Sequence, residues 1–176
     1  MRNCSAAWLL SALLLVLVNV ASGQEKQTMP PAKEGVLKAA EVGDKLFPDK
    51  VFFRGQSATV QARNSAGVRY ADGFMVLTAL VDASGYSTAV QQKYQGLLIT
   101  ETKLNIGGSE LPPGQYGFGF TADGKFGVMD VADNDVVSST YQTDEALKRP
   151  VPLKLLEDGE GYKLYAGRKW IAIKAQ

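Results

Sequence analysis

Short apolar runs, separated by turns that contain glycine, are the feature of this sequence that most restricts its fold. Residues 74–81 are almost continuously apolar and lie between Asp72-Gly73 and Asp82-Ala83-Ser84-Gly85. A run of this length, bounded by turn residues, favours a strand buried on both faces over a helix. About eight to ten short strands of this kind, with one or two short helices, predict an all-β fold, either an antiparallel β-sandwich or a closed barrel.

Other segments carry strand or helix signals of different form. Residues 57–63 alternate polar and apolar side chains, and the turn residues Asn64-Ser65-Ala66-Gly67 predict a hairpin with residues 68–70. Residues 36–42 predict a short helix that ends at Gly43, and residues 88–94 predict one or two helical turns. The remaining predicted strands are residues 97–106, 115–121, 126–131, 151–156, 161–165 and 169–174.

The clearest hairpin signal is Asp123-Gly124, which fits a two-residue type I′ turn because both central residues of that turn need positive φ. This turn predicts that Phe120 pairs with Gly127 and that Phe118 pairs with Met129. One face of the hairpin then carries Tyr116, Phe118, Phe120, Met129 and Val131. The other face carries Phe126, Val128 and Asp130 beside the bare positions Gly117 and Gly119.

The glycines of this hairpin have two interpretations, since glycine within a strand marks either sharp curvature or the close approach of another group. Curvature within a packed core is the more common explanation, whereas bare positions also leave room for a ligand. Several turns elsewhere combine an aromatic, a glycine and a charged residue, as binding loops and ordinary turns both do. The candidate ligand-binding residues are Arg54, Tyr86, Tyr94, Tyr116, Gly117, Gly119 and Arg168.

The N-terminal residues have the organisation of an export signal. Arg2 precedes a mostly apolar stretch at residues 6–21, and Ala21-Ser22-Gly23 follows the small-x-small cleavage pattern. The sequence therefore predicts a cleaved signal peptide at residues 1–23, with a retained N-terminal anchor as the alternative. Residues 24–50 are expected to form a flexible lead with a possible short helix, and residues 51–176 a single β domain. The predicted location is secreted or periplasmic, with no stable membrane span after cleavage.

Charge and composition exclude several classes of function for the mature chain. Arg2 is the only charged residue before Glu25, so 18 of the 19 Lys and Arg residues remain against 18 Asp and Glu residues. A neutral chain with interspersed charges lacks the basic patch that nucleic-acid binding needs. The chain has no histidine, and its one cysteine, Cys4, leaves with the signal. Catalysis by serine-histidine or cysteine-histidine pairs and histidine-ligated metal centres are therefore excluded, and no cofactor is expected.

One acidic segment is the only candidate for a metal site. Asp130, Asp133, Asn134 and Asp135 place four oxygen-bearing side chains within six residues. Calcium takes about six to eight oxygen ligands, and the spacing here does not match the D-x-[DN]-x-[DN]-G loop. A solvated turn after a strand is the favoured interpretation of this segment.

The segment from Gly107 to Tyr116, with sequence GGSELPPGQY, resembles the G-x-x-LPAG-x-Y segment of secreted or periplasmic bacterial β-sandwich domains of unknown function. The similarity covers about ten residues and extends more weakly over the following hairpin, and Pro113 replaces the usual alanine. It implies a bacterial β-sandwich, and it carries over no catalytic residue.

Three functions remain open. The preferred one is a non-enzymatic binding or interaction module of the bacterial cell envelope, which binds a small apolar or carbohydrate ligand or a protein partner. The second is a glycan hydrolase that uses two carboxyl groups about 5 to 10 Å apart. The third is a structural envelope protein whose edge strands pair with a larger assembly. The candidate carboxylates for the hydrolase are Asp72, Asp82, Glu101 and Asp130.

Overall fold

The computed structural model describes residues 33–176, so the predicted signal peptide and the first part of the predicted lead lie outside it. In chain order, the elements are β1 (Gly35–Lys38), α1 (Ala39–Leu46), β2 (Lys50–Phe53), β3 (Gln56–Arg69), β4 (Met75–Asp82), α2 (Thr88–Lys93), β5 (Gly96–Thr100), β6 (Leu104–Ile106), β7 (Ser109–Leu111), β8 (Gly114–Phe120), β9 (Lys125–Met129), β10 (Asp135–Thr140), β11 (Gln142–Thr143), β12 (Val151–Asp158), β13 (Gly161–Gly167) and β14 (Lys169–Ala175).

The strands form two antiparallel sheets, which confirms the predicted all-β sandwich. Sheet A has the order β1-β3-β4-β5-β8-β9-β10. β2 also pairs with β3, at residues 56–59, whereas β1 pairs with residues 66–69. Sheet B has the order β12-β13-β14-β6-β7, and β11 pairs with β14. Within residues 33–176 the two sheets stay separate, so the described chain is a sandwich and not the alternative closed barrel. Several of the strands are only two to four residues long, and these raise the strand number above the prediction.

Two clusters of buried side chains lie on the two faces of sheet A. The intersheet core fills the space between the sheets and includes Phe118 and Leu164. The helix-side core includes Phe53 of β2, Val42 of α1 and Val90 of α2. A side chain buried in this way contributes about 1.5–3 kcal/mol relative to an exposed one. Sheet A is therefore a central layer, with the helices on one side and sheet B on the other.

The apolar run at residues 74–81 forms β4, as predicted. β4 lies between β3 and β5, and Val76 faces the intersheet core while Leu77 faces the helix-side core. The predicted hairpin before it is wrong, because β3 is one strand of 14 residues. Gln61 pairs with Leu80, and Ser65 pairs with the adjacent residue Ala79. Residues 62–64 of β3 therefore have no paired residue on β4 and form a bulge.

Local side chains hold this bulge and explain why its sequence resembles a turn. Asn64 Nδ2 donates to Gln61 Oε1 at 2.8 Å, and Ser65 Oγ donates to the carbonyl oxygen of Ala62 at 2.6 Å. Gln61 Nε2 reaches the carbonyl oxygen of Val81 on the neighbouring strand at 3.3 Å. Asn and Ser bond to nearby backbone groups both in turns and in bulges, so the residue types alone do not distinguish the two.

The helix predicted at residues 36–42 is shifted towards the C-terminus. Residues 35–38 form β1 on the edge of β3, and α1 then continues through Gly43 to Leu46. Gly43 does not end the helix; a Cβ there would lie 2.7 Å from the carbonyl oxygen of Ala62. The second helix forms at Thr88–Lys93, as predicted. Among the described residues, neither helix has the length and apolar character needed to cross a membrane.

The hairpin of β8 and β9 forms, but its predicted register is wrong by one residue. Phe118 pairs with Val128 and Phe120 with Phe126, and the Thr121 amide donates to the Lys125 carbonyl oxygen. The connection is therefore a three-residue loop with Gly124 at φ 87°, which is a common alternative to the two-residue turn. A shift of one residue moves every side chain of a strand to the opposite face. Phe126 and Val128 consequently lie in the intersheet core, and Met129 lies in the helix-side core.

A turn of the type I′ pattern occurs instead at Gly107-Gly108. Both residues have positive φ, 55° and 94°, and they join Ile106 to its partner Ser109. The predicted strand at residues 97–106 is divided in two: β5 belongs to sheet A and β6 to sheet B. The chain therefore crosses between the sheets at residues 101–103.

Candidate functional site

Two of the candidate ligand-binding tyrosines lie in the helix-side core. The Tyr94 ring stacks on Phe53 with centroids 4.1 Å apart, and Tyr86 meets both rings edge-on. The Tyr86 hydroxyl lies 2.7 Å from the Gln56 carbonyl oxygen and 3.0 Å from that of Phe53. Burial raises the pKa of both tyrosines. Both tyrosines therefore act as packing residues, because their rings join the two ends of α2 to Phe53 of β2.

The bare positions Gly117 and Gly119 are occupied by the chain itself. A Cβ on Gly117 would lie 2.7 Å from the Tyr94 ring, and a Cβ on Gly119 would overlap the carbonyl oxygen of Lys93. The end of α2 therefore packs directly onto β8. The room for a ligand expected beside these glycines is filled, and close approach, not curvature alone, accounts for them.

The candidate residue Arg54 meets the acidic segment that was considered for a metal. Arg54 Nη1 lies 2.9 Å from Asp133 Oδ2, and Lys93 Nζ lies 2.5 Å from Asp133 Oδ1. Arg54 and Asp133 both have positive φ, 49° and 76°. Asp130 binds the backbone amides of its own loop, and Asp135 begins β10 with its side chain exposed. Residues 33–176 contain no group of three or more acidic or sulfur side chains placed to hold a metal ion.

The other two candidates stabilise local backbone. The Tyr116 hydroxyl donates to the carbonyl oxygen of Pro112 at 3.0 Å, and its ring covers Gly114, where a Cβ would lie 2.9 Å from the hydroxyl oxygen. This contact fixes the proline-glycine bend before β8. Arg168 Nη1 donates to the carbonyl oxygens of Glu145 and Leu147 at 3.0 and 2.6 Å. It thereby holds the connection between β11 and β12.

The four carboxylates considered for hydrolysis each accept a backbone amide. Asp72 binds the amide of Phe74, Asp82 that of Ser84, Glu101 that of Met75, and Asp130 those of Ala132 and Asn134. Hydrogen bonds from Ser84 lower the pKa of Asp82, and hydrogen bonds from Asn134 lower the pKa of Asp130. A carboxyl group that acts as a general acid at neutral pH needs a raised pKa, so the lowered pKa values of Asp82 and Asp130 do not suit this role.

A further cavity of the described chain lies away from all these residues, at one end of the sandwich. It has a volume of about 450 Å³ and is open to solvent. We call it the tyrosine cleft, and it is lined by Glu34, Gly35, Tyr70, Glu157, Gly159, Glu160, Gly161 and Tyr162.

Both sheets contribute to the tyrosine cleft. Tyr70 follows β3, where its amide donates to the carbonyl oxygen of Phe74 and its own carbonyl accepts from Gly73, so the β3–β4 turn fixes its backbone. Tyr162 lies on β13 opposite Glu157 of β12. The two rings meet edge-to-face with centroids 5.9 Å apart. Gly159, at φ 61°, allows the two-residue turn between β12 and β13 that brings Glu160 to the rim.

The lining of the tyrosine cleft carries negative charge. No lysine or arginine lines it within residues 33–176, and Glu160 alone of its three glutamates has a salt bridge there, to Lys174. Burial raises the pKa of Tyr162, and the negative charges of Glu157 and Glu34 raise it further. Burial first, then Tyr162 and Asp72, raise the pKa of Tyr70 to about 12. Both hydroxyls are therefore neutral at physiological pH, and the net charge of the lining is negative.

The Tyr70 hydroxyl is buried and has no hydrogen-bond partner among residues 33–176. A buried hydroxyl without a hydrogen-bond partner destabilises the folded state by about 1–3 kcal/mol. Packing of the tyrosine ring alone therefore does not explain why a hydroxyl group stands at this position.

The residues of the tyrosine cleft are not among the candidates that the sequence predicts. Tyr70 and Tyr162 are far apart in the chain, and each stands beside an ordinary glycine turn. One signal was present: residues 157–161 have the sequence Glu-Asp-Gly-Glu-Gly, which places three acids directly before Tyr162.

Comparisons of the chain with protein-family models, with curated protein sequences and with solved structures found no match.

Proposed function

We propose that this chain is an exported, non-enzymatic binding module of the bacterial cell envelope, and that the tyrosine cleft binds a cationic group of its ligand. The group is an organic ammonium, either of a small molecule or of a lysine side chain in a protein partner. The N-terminal sequence supports export, with its apolar stretch and its Ala21-Ser22-Gly23 cleavage pattern. The absence of histidine from the chain supports binding over catalysis.

The observation that carries this proposal is the combination of two tyrosine rings with three glutamates around one open cavity. The negative face of a tyrosine ring attracts a cation by about 0.5–2 kcal/mol, depending on how far water is excluded. Carboxylates nearby add Coulomb attraction that weakens with salt. An organic ammonium offers both the positive charge and the apolar surface that this lining complements.

A small inorganic cation fits the tyrosine cleft less well. Calcium and magnesium take six or more oxygen ligands at short range. No set of three acidic side chains in residues 33–176 is arranged closely enough to supply them. The aromatic rings are also poor ligands for hard cations, whereas they suit alkylated ammonium groups.

The experiment that tests this function compares a cation with its neutral analogue. Choline and 3,3-dimethylbutan-1-ol have nearly the same shape, but only choline carries a positive charge. Titration of the purified protein by calorimetry and by NMR should detect choline binding that weakens as salt is added. A lysine-containing peptide and its acetyl-lysine form would test the protein-partner source in the same way. Equal binding of the charged and neutral probes would contradict the proposal.

Substitutions locate the binding. We expect Tyr162→Leu to weaken choline binding about tenfold, because it removes a ring worth about 1.4 kcal/mol. Glu157→Gln should weaken it less and should reduce its salt dependence. Glu110→Gln is the matched control, since Glu110 is exposed on β7 and does not line the tyrosine cleft. If the control weakens binding as much as Glu157→Gln, the site lies elsewhere.

A further inference from the structure

The two sides of the sandwich are closed differently. On one side β10 meets the turn between β6 and β7, and Ser139 Oγ lies 3.2 Å from the carbonyl oxygen of Ile106. On the other side β1 faces β12, and we call this side the seam. β1 pairs only with β3 and β12 only with β13, and within residues 33–176 no backbone hydrogen bond joins β1 to β12. Both strands therefore present a free edge at the seam.

A groove of about 340 Å³ follows the seam, separate from the tyrosine cleft. Its walls are mostly apolar, with Val36 and Leu37 of β1 on one side and Val151, Leu153 and Leu155 of β12 on the other. Five residues of β12, from 151 to 155, line it, which corresponds to a length of about 17 Å. A free strand edge beside apolar pockets is the arrangement that binds an added peptide strand.

The charge of this groove is opposite to that of the tyrosine cleft. Lys38 and Arg63 line it, and no aspartate or glutamate of residues 33–176 does. Both side chains are exposed, and neither forms a salt bridge within the described chain. Lys154 also borders the groove, but its ammonium group lies over the Tyr165 ring on the outer face of sheet B. Complementary charge in a partner would therefore be negative.

We propose that the groove at the seam binds an extended, acidic peptide segment of a partner protein, which adds a strand to the free edge of β12. The backbone of the segment pairs with β12 from Leu153 onward, because Pro152 has no amide hydrogen to donate. Apolar side chains of the segment pack on Val36 and Val151, which line the groove and keep exposed surface, and its carboxylates approach Lys38 and Arg63. The residues that line this groove are different from those that line the tyrosine cleft.

Synthetic peptides test the inference on the purified protein. The first probe is a hexapeptide that alternates valine and glutamate, and the second replaces each glutamate with lysine. The third is the acidic peptide with methylated backbone amides on the edge that would face β12. We expect the acidic peptide to bind about tenfold more tightly than the lysine peptide, and the methylated peptide to bind about tenfold more weakly than the acidic peptide.

Two further measurements decide where and how the peptide binds. The double substitution Lys38→Glu and Arg63→Glu should reverse the preference between the two peptides. The control Lys125→Glu changes one charge on the β8–β9 hairpin and should leave the preference intact. Hydrogen exchange should show new protection of β12 amides when the acidic peptide is present.

Three outcomes would overturn the proposal. Equal affinity for the acidic and lysine peptides would remove the charge argument. Full binding of the methylated peptide would remove strand addition. Protection at Tyr70 and Tyr162 without protection of β12 would assign the peptide to the tyrosine cleft. Because choline binding does not enter any of these measurements, failure here leaves the proposed cation site untouched.

Discussion

Gly119 and Gly127 are paired directly across β8 and β9, but the space beside each is different. A Cβ on Gly119 would overlap the carbonyl oxygen of Lys93, whereas the nearest atom to a Cβ on Gly127 is Met129 Cε at 4.0 Å. We predict that Gly119→Ala lowers the free energy of unfolding by at least about 1–3 kcal/mol, because α2 must move away from β8. Urea denaturation of the two single variants is the measurement.

Gly127→Ala is the matched control for this prediction. It makes the same chemical change on the neighbouring strand, and it should alter stability by no more than about 0.5 kcal/mol. Similar losses in both variants would show that strand propensity, not contact with α2, determines the effect. The sequence marks Gly119 as unusual within a strand but does not indicate which group approaches it, since only the folded chain brings α2 against β8.

Tyr70 provides a prediction about pH. An unfolded tyrosine ionises near pH 10, whereas Tyr70 in the folded chain stays protonated until about pH 12. The folded state therefore binds more protons than the unfolded state in this range, so this contribution to stability is complete below pH 10 and is lost as pH rises towards 12. Tyr70→Phe should reduce the fall in unfolding free energy between about pH 10 and about pH 12.

The same substitution has a second consequence near neutral pH. Because the Tyr70 hydroxyl is buried without a partner in residues 33–176, its removal should leave the protein equally stable or more stable. A clear loss of stability at neutral pH would show that the hydroxyl has a bonding partner in solution. An unchanged pH dependence would show that Tyr70 ionises with its ordinary pKa.

At the scale of elements, the bulge of β3 depends on Gln61, which bonds both to Asn64 and to the backbone of β4. We predict that Gln61→Ala costs about 1–3 kcal/mol, because two hydrogen bonds are lost and the Asn64 amide is left without its acceptor. The control is Gln56→Ala, since Gln56 begins β3 with its side chain exposed. Hydrogen exchange should show faster opening at residues 62–66 in Gln61→Ala alone. Equal exchange in both variants would contradict this role.

Elements were predictable where the evidence for them is contained in one segment. β4 and α2 are predicted correctly because the residues of each segment indicate its structure without reference to the rest of the chain. β3 and the β8–β9 register were missed for a common reason, which is that Asn64-Ser65 and Asp123-Gly124 suit more than one backbone path. The neighbouring strands determine which backbone conformation forms, and packing of the whole core determines where those strands lie. The tyrosine cleft was missed similarly, because only the meeting of two sheets brings Tyr70 to Tyr162.

At the scale of the whole molecule, the folded unit includes residues that sequence analysis assigned to a lead. β1 and α1 cover the edge of β3, and Val42 and Phe47 belong to the helix-side core. We predict that a truncated chain beginning at residue 51 loses more than about 4 kcal/mol relative to one beginning at Gln24, since each buried side chain contributes about 1.5–3 kcal/mol and a β-strand is lost as well. Most small domains have only about 5–15 kcal/mol in total.

Circular dichroism and denaturation of the two chains check this expectation. The shorter chain should be largely unfolded or should aggregate through the exposed edge of β3. A shorter chain that unfolds at the same urea concentration as the longer one would show that β1 and α1 are dispensable.

The central position of sheet A has a consequence for how the protein resists degradation. β4 sends Val76 into the intersheet core and Leu77 into the helix-side core, so displacement of this strand disrupts both cores at once. Release of β4 as an extended segment that a protease could cleave therefore exposes apolar side chains of both cores, which makes this opening costly. A ligand that binds the folded chain at the seam should therefore slow proteolysis of the entire chain, and not only of the strands that it contacts.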